Sequence, residues 1–169
     1  MKEYIHGGDI YRHPDVLDFS ANINPLGTPP AVVQAAKDSM EWICHYPDAC
    51  QEKLKQALAA YEQVPVEWLI CGNGAAELIF ALVQAVKPKR ALVMAPTFAE
   101  YAQALEAVGC EVDREILKKE DGFTLQRTIL EKLQKEDLQM VFLCNPNNPT
   151  GILINPKLLR EIVTICEKR

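Results

Sequence analysis

Long runs of a single character are what this sequence has least of. No stretch of Lys and Arg is dense enough to grip nucleic acid or an anionic membrane, and the formal net charge is −5. No apolar stretch is long enough to cross a bilayer, and the polar start, MKEYIHGGDIYRH, does not read as a signal peptide. The expectation is a soluble, cytoplasmic protein with neither nucleic acid nor membrane as partner. Histidine occurs three times without HxxxH or HExxH spacing, and none of the six cysteines forms a CxxC pair, so no metal site is expected. Cys44, Cys50, Cys71, Cys110, Cys144 and Cys166 read as small, buried, reduced thiols, several lying in apolar runs such as LICG and VFLC. Aromatic residues make up only 7% of the chain, but apolar residues reach 49% and charged ones 24%, an ordinary globular balance that excludes disorder and collagen. The 169 residues suit one domain with at most a small appendage.

The period of the apolar residues switches repeatedly between that of helices and that of strands. From Thr28, TPPAVVQAAKDSMEWI offers a capping hydroxyl, proline in the first turn, and Val32, Val33, Ala36, Met40 and Ile43 on one face. A second helix is expected after Asp48, with Leu54, Leu58 and Tyr61 in helical spacing. WLICG then reads as a strand, AAELIFALVQAV as a helix, RALVMA as a strand and FAEYAQALEAV as a helix. CEVDREIL is expected to be a strand, TLQRTILEKLQK a helix, MVFLCN a strand, and NPKLLREIVTICEKR a helix capped by Asn155 with Pro156 at its first position. Apolar strands alternating with helices of this length predict an α/β fold, a largely parallel sheet with helices on both faces. Residues 1–27, rich in Gly, Asn and Pro, read as an irregular N-terminal arm, and 28–169 as an α/β domain still lacking its closing elements.

Three loops follow the expected strands, and in open α/β sheets ligands lie at the carboxyl ends of the strands. In CGNGAAE (71–77), Gly72 and Gly74 bracket Asn73 just before a helix. Glycines let backbone approach an anion, and helix N–H groups bind phosphate, although a turn that needs a left-handed residue explains the loop equally well. The third glycine of a dinucleotide fingerprint and the Walker lysine are both missing, so a nucleotide-binding Rossmann domain ranks low. In APTFAEY (95–101), Phe98 either stacks on a planar ring or, the better account when taken alone, packs in the core where a helix begins. NPNNPTG (145–151) is the most informative: two prolines, three asparagines and a glycine directly after VFLC exceed the needs of a surface turn and favour a ligand role.

These loops, in this order and spacing, resemble the fold-type-I pyridoxal-phosphate enzymes, the aspartate aminotransferase superfamily. The resemblance extends along the chain through HGGD (6–9), DFSANINPLG (18–27), YPD (46–48), GNGAAELI (72–79), PTFAEY (96–101) and NPNNPTG (145–151). It is narrower still to the branch holding histidinol-phosphate aminotransferase and threonine-phosphate decarboxylase, with HGG and PTFAEY leaning toward the decarboxylase. The resemblance implies that pyridoxal 5′-phosphate is the cofactor, with its phosphate on the backbone N–H groups of Gly74, Ala75 and Ala76. It implies further that Phe98 stacks on the pyridine ring and that Asn148, before a cis proline bond, hydrogen-bonds the ring hydroxyl oxygen. Tyr46 is implied to reach a neighbour's cofactor phosphate across a homodimer interface, Asn24 and Gly27 to line the substrate site, and His6 to lie near the substrate's phosphate.

Members of that superfamily run to about twice this length. The Schiff-base lysine, the aspartate at the pyridine nitrogen and the arginine for the substrate carboxylate belong to the half not represented here, so no catalytic residue is assigned in this chain. The resemblance thus implies the N-terminal part of an enzyme acting on a phosphorylated amino acid, most plainly an L-threonine-O-3-phosphate decarboxylase of cobalamin biosynthesis. Histidinol-phosphate aminotransferase or another class I/II aminotransferase is the alternative, and a truncated, non-catalytic phosphate- or cofactor-binding protein is the alternative of another kind.

Overall fold

The computed structural model describes residues 7–169, so His6 lies outside the described residues. Two compact units divide them, 7–69 and 70–169.

In the first unit the arm is irregular and held by short polar links. The Gly8 N–H donates to Ser20 Oγ at 2.8 Å, and the Ser20 N–H donates to Asp18 Oδ1 at 2.7 Å. Helix α1 (Pro30–Asp38) begins with prolines at its cap and first positions, and a 3₁₀ turn (Ser39–Trp42) extends it. Thr28 does not cap it: Pro29 occupies the cap, and its carbonyl accepts from the Val32 and Val33 N–H groups. Helix α2 (Glu52–Glu62) starts where the Asp48 carboxylate accepts from the N–H groups of Cys50 and Glu52, each at 2.9 Å. The apolar faces expected of both helices form but are not covered, with Met40 at 59%, Ile43 at 71% and Tyr61 at 82% exposure. Ala59 is the one buried hydrophobic residue among the described residues of this unit.

The second unit holds the sheet. Its elements are α3 (Gly74–Val86), β1 (Arg90–Ala95), α4 (Ala99–Ala107), β2 (Glu111–Ile116), a single turn α5 (Ile129–Lys132), β3 (Met140–Phe142) and α6 (Pro156–Glu167). The strand order is β2-β1-β3, and both pairings are parallel, with Arg90 opposite Glu111 and Ala91 opposite Met140. The central β1 is buried on both faces because its alternate residues feed two cores. Leu92 and Met94 pack with Leu125, Ile129, Leu133, Leu158 and Ile162, on the face covered by α5 and α6. Ala91 and Val93 pack with Val83, Ala104 and Leu105, on the face covered by α3 and α4. Helices therefore lie on both faces of a parallel sheet, the architecture read from the alternation of apolar periods. At about 2 kcal/mol per fully buried Leu or Ile, these two layers are the main source of stability.

The amino ends of the strands are fixed by charge. Arg90 Nε and Nη2 donate to the Asp113 carboxylate, both at 3.1 Å, and Nη1 donates to Asp137 Oδ2 at 2.8 Å. Lys135 Nζ also donates to Asp113, at 3.0 Å. These contacts raise the Arg90 pKa above its usual value and hold Asp113 below the usual carboxylate range.

Two expected elements come out differently. WLICG is no strand: a 3₁₀ turn covers Val66–Trp68, and Ile70 is 76% exposed without a ladder partner among the described residues. An apolar run becomes a strand only where a neighbour supplies the hydrogen bonds. TLQRTILEKLQK keeps its apolar spacing, with Leu125, Ile129 and Leu133 buried, but only one turn is α-helical. Around that turn, Ile129, Leu130 and Glu131 donate to carbonyls three residues back, the tighter 3₁₀ pattern. The cysteines divide as well: all six are free, but Cys44, Cys50 and Cys166 are exposed, and of the six only Cys110 is fully buried.

Candidate functional site

Because β1 and β3 are adjacent and parallel, the loops after them emerge at the same edge of the sheet. Helix α3 is joined to β1 by the short link Lys87–Lys89, and its Ile79 and Val83 pack in the cluster that holds Ala91 and Val93. A helix laid on a strand that it feeds through so short a link runs back along it, which puts its N-terminus toward the same edge. The three loops singled out in the sequence are thus gathered by the topology of one unit.

The glycines of the first loop serve different ends. A Cβ at Gly72 would sit 2.8 Å from Leu78 Cδ2 and 2.9 Å from Glu77 Oε2, so this glycine lets the chain pass close to α3. Gly74 has φ +83° and nothing within 4 Å of where a Cβ would stand, so it supplies a left-handed turn beside open space. The Gly74 N–H donates to the Gly72 carbonyl at 2.9 Å, and the Asn73 N–H donates to the Glu77 carboxylate. The N–H groups of Ala75 and Ala76 lie in the first helical turn, where an α-helix offers them no intrahelical acceptor.

In the second loop Phe98 is half-buried at the cap position of α4. Its ring meets Tyr101 edge-on at 5.6 Å, and Tyr101 stacks on Phe142 of β3 at 4.7 Å with 12° between the planes. Burial, followed by a hydrogen bond with the Cys144 side chain, pushes the Tyr101 hydroxyl up to about 12, so it stays a neutral phenol at physiological pH. Phe98 therefore stands at the end of an aromatic stack rooted in the sheet.

The third loop contains cis peptides at Asn145–Pro146 and Asn148–Pro149, the second as the resemblance implies. Its three asparagines do three things. Asn145 Oδ1 accepts from the Ile154 N–H at 2.8 Å, and the buried Asn147 carboxamide bonds to Pro96, Thr97 and Thr150. The Asn148 N–H donates to Cys144 Sγ at 3.3 Å, but among the described residues nothing hydrogen-bonds its half-buried carboxamide. Asn148 is thus the asparagine of this loop whose carboxamide makes no hydrogen bond among the described residues.

The other residues assigned from the sequence lie in the first unit. Asn24 and Gly27 share one turn: the Asn24 carboxamide donates to the Gly27 carbonyl at 3.1 Å and accepts from the Leu26 N–H at 3.0 Å, and Gly27 has φ +80°. Tyr46 is fully exposed. No lysine falls in the three loops, and Lys132 and Lys135 are paired with Glu115 and Asp113. Among the described residues there is no cluster of potential metal ligands. Sequence reasoning missed Thr97, Tyr101, Phe142, Cys144 and Asn147. Tyr101, three residues after Phe98 on one helix, carried a spacing signal that could have found it.

Residues 14–169 match the model of the family described as Aminotransferase class I and II. The chain belongs to this family. The threonine-phosphate decarboxylase of Salmonella typhimurium is 47% identical over 170 residues, covering 96% of this chain and 46% of that protein. A histidinol-phosphate aminotransferase of Symbiobacterium thermophilum is 32% identical, covering 95% of the chain and 46% of that protein. The crystal structure of the histidinol-phosphate aminotransferase from Clostridium acetobutylicum superposes with a TM-score of 0.78 at 27% identity, over 90% of this chain and 44% of that one. The chain spans less than half the length of these relatives, and its α/β architecture is that of the family.

Proposed function

We propose that the chain supplies the amino-terminal half of a pyridoxal 5′-phosphate site in an enzyme acting on a phosphorylated amino acid, L-threonine-O-3-phosphate decarboxylation being the reaction. The observation that carries the cofactor assignment is the edge of the sheet itself. The first-turn N–H groups of α3, an anchored aromatic ring and a carboxamide with no hydrogen bond among the described residues lie in the loops at that edge, which fits the phosphate, ring and ring hydroxyl of that group. The bound cofactor supplies an electron sink for the bond that breaks at the substrate's α-carbon.

Each residue of this half then has a binding or orienting task. Ala75 and Ala76 hold the phosphate through backbone N–H groups, joined by the Gly74 N–H as it leaves the Gly72 carbonyl and aided by the positive end of α3. Phe98 covers one face of the pyridine ring, and the Asn148 carboxamide donates to the ring hydroxyl oxygen. Asn24 and Gly27 line the substrate site, and His6 and the glycines after it bind the substrate's phosphate. Tyr46 reaches the cofactor phosphate of a partner subunit in a homodimer, a task that suits a tyrosine left wholly exposed. The enzyme works in the cytoplasm, where its three exposed thiols stay reduced. The lysine that bonds the cofactor comes from outside these 169 residues, so the chain alone is inactive.

Threonine phosphate is preferred over histidinol phosphate on the HGG and PTFAEY motifs, supported by the 47% identity to the Salmonella decarboxylase. The aminotransferase reading is favoured by the likeness to the Clostridium structure. The deciding experiment supplies each phosphate ester in turn to the full-length enzyme that carries this segment. Release of carbon dioxide from threonine phosphate without a keto-acid acceptor supports the decarboxylase. Acceptor-dependent turnover of histidinol phosphate, with no carbon dioxide from the other ester, transfers the assignment to the aminotransferase branch.

A further inference from the structure

The polar side chain most fully bonded at this edge is not one assigned to the cofactor. Asn147 is only 4% exposed. Its Oδ1 accepts from the Thr97 hydroxyl at 2.8 Å, and its Nδ2 donates to the Pro96 carbonyl at 3.1 Å and to Thr150 Oγ1 at 2.9 Å. The orientation of the amide follows from chemistry, because a carbonyl only accepts and must face the NH₂. The backbone of Asn147 closes its own loop, donating to the Ile152 carbonyl at 2.9 Å and accepting from the Gly151 N–H at 2.6 Å.

The partners lie in two loops about fifty residues apart in sequence, since Thr97 and Asn147 are separated by 50 positions. Thr97 directly precedes Phe98, and Asn147 directly precedes Asn148. We propose that Asn147 is a positioning residue that ties the two loops into one body, so that the ring-stacking Phe98 and the ring-hydroxyl donor Asn148 are set at a fixed distance before the cofactor arrives. The proposal rests on the assignment of these loops to pyridoxal phosphate. Its physical basis is preorganisation: two loops already joined lose less freedom on binding than two that must be ordered separately. Truncating Asn147 removes both hydrogen bonds to the 96–97 segment and leaves partly buried acceptors and donors unpaired.

The test uses the full chain with two ligands and one ligand-free measurement. Pyridoxine 5′-phosphate carries the ring, its hydroxyl and the phosphate but no aldehyde, so its binding needs no lysine; inorganic phosphate reports on the α3 terminus alone. Amide hydrogen exchange over 97–99 and 147–151 reports whether the loops are joined. For Asn147→Ala we expect faster exchange in both segments, an affinity for pyridoxine phosphate lower by about tenfold, and an unchanged affinity for inorganic phosphate. Thr97→Val, which removes one bond of the tie with little change of shape, gives the same pattern more weakly, and Thr97→Ser restores it. This pair decides the matter should Asn147→Ala not fold. The proposal is overturned if faster exchange is confined to 147–151, or if both ligands weaken equally. Should the unaltered chain bind inorganic phosphate but not pyridoxine phosphate, the cofactor assignment fails, while the exchange data still establish or refute the tie between the loops.

Discussion

The units 7–69 and 70–169 carry apolar residues at equally regular helical spacing, yet they use them in opposite ways. In the second unit β1 sends Leu92 and Met94 to one core and Ala91 and Val93 to another, all at most 2% exposed. In the first unit the stripe of Val32, Met40 and Ile43 remains more than half exposed. The difference teaches that amphipathic spacing predicts a helix but not its cover. A parallel strand pair brings together residues far apart in sequence, whereas the two helices of the first unit, with no sheet in their unit to pack on, leave their apolar faces exposed.

The largest expected effect tests this contrast directly. Leu92→Ala and Leu105→Ala, at sites no more than 1% exposed, should each destabilise the chain by about 3 kcal/mol in denaturant unfolding. Ile43→Ala, at a site 71% exposed, should change it by less than about 0.5 kcal/mol. Equal losses in the two units would break the comparison.

A smaller effect belongs to Gly74. Its φ of +83° with open space around the missing Cβ means that Gly74→Ala costs backbone strain and no clash, about 1 kcal/mol. The same change should weaken inorganic phosphate binding at the α3 terminus, read by titration, because the loop would leave its left-handed turn. Unaltered phosphate binding would count against a role for that turn.

Smaller still is the acid response of the second unit. Arg90 first, and Lys135 next, hold Asp113 below the usual carboxylate range. A carboxyl lowered in the folded state gives its full stabilisation above its unfolded pKa, near ~4, and loses it as pH falls through the lowered folded value. Stability should therefore drop on acidification below about pH 4, and Asp113→Asn should flatten that slope by well under about 1 kcal/mol. An unchanged acid slope in Asp113→Asn would show that the Arg90 network contributes nothing there. The smallest expected signal is none at all: borohydride treatment of the chain with pyridoxal phosphate should leave no stoichiometric adduct on any one lysine. Mass mapping of a single modified lysine would contradict the proposal that the cofactor's lysine lies outside these 169 residues.

Much of the second unit was legible in the sequence. RALVMA is the strand Arg90–Ala95, and Asn155 caps α6 by accepting from the Lys157 and Leu158 N–H groups. The cap depends on neighbours two and three residues away, and the strand shows itself by an unbroken apolar run suited to burial on both faces, although its ladder partners are distant in sequence. WLICG and TLQRTILEKLQK were misjudged because a ladder partner and the choice between turns of three and four residues are set by contacts that local periodicity does not encode. The site shows the same division. The GNG, PTF and NPNNPTG loops stand out by composition, and Asn148 was singled out by resemblance. The tie through Asn147 was invisible, because only the β1–β3 pairing brings Thr97 to it.

The central claim is that three loops at the carboxyl edge of the sheet form half of a pyridoxal phosphate site. A crystal structure of the chain grown with pyridoxine 5′-phosphate tests it most directly. The account predicts the phosphate on the N–H groups of Gly74, Ala75 and Ala76, the ring against Phe98, and the Asn148 carboxamide at the ring hydroxyl. A ligand bound elsewhere, or a 72–76 loop with those N–H groups turned into the core, would contradict it.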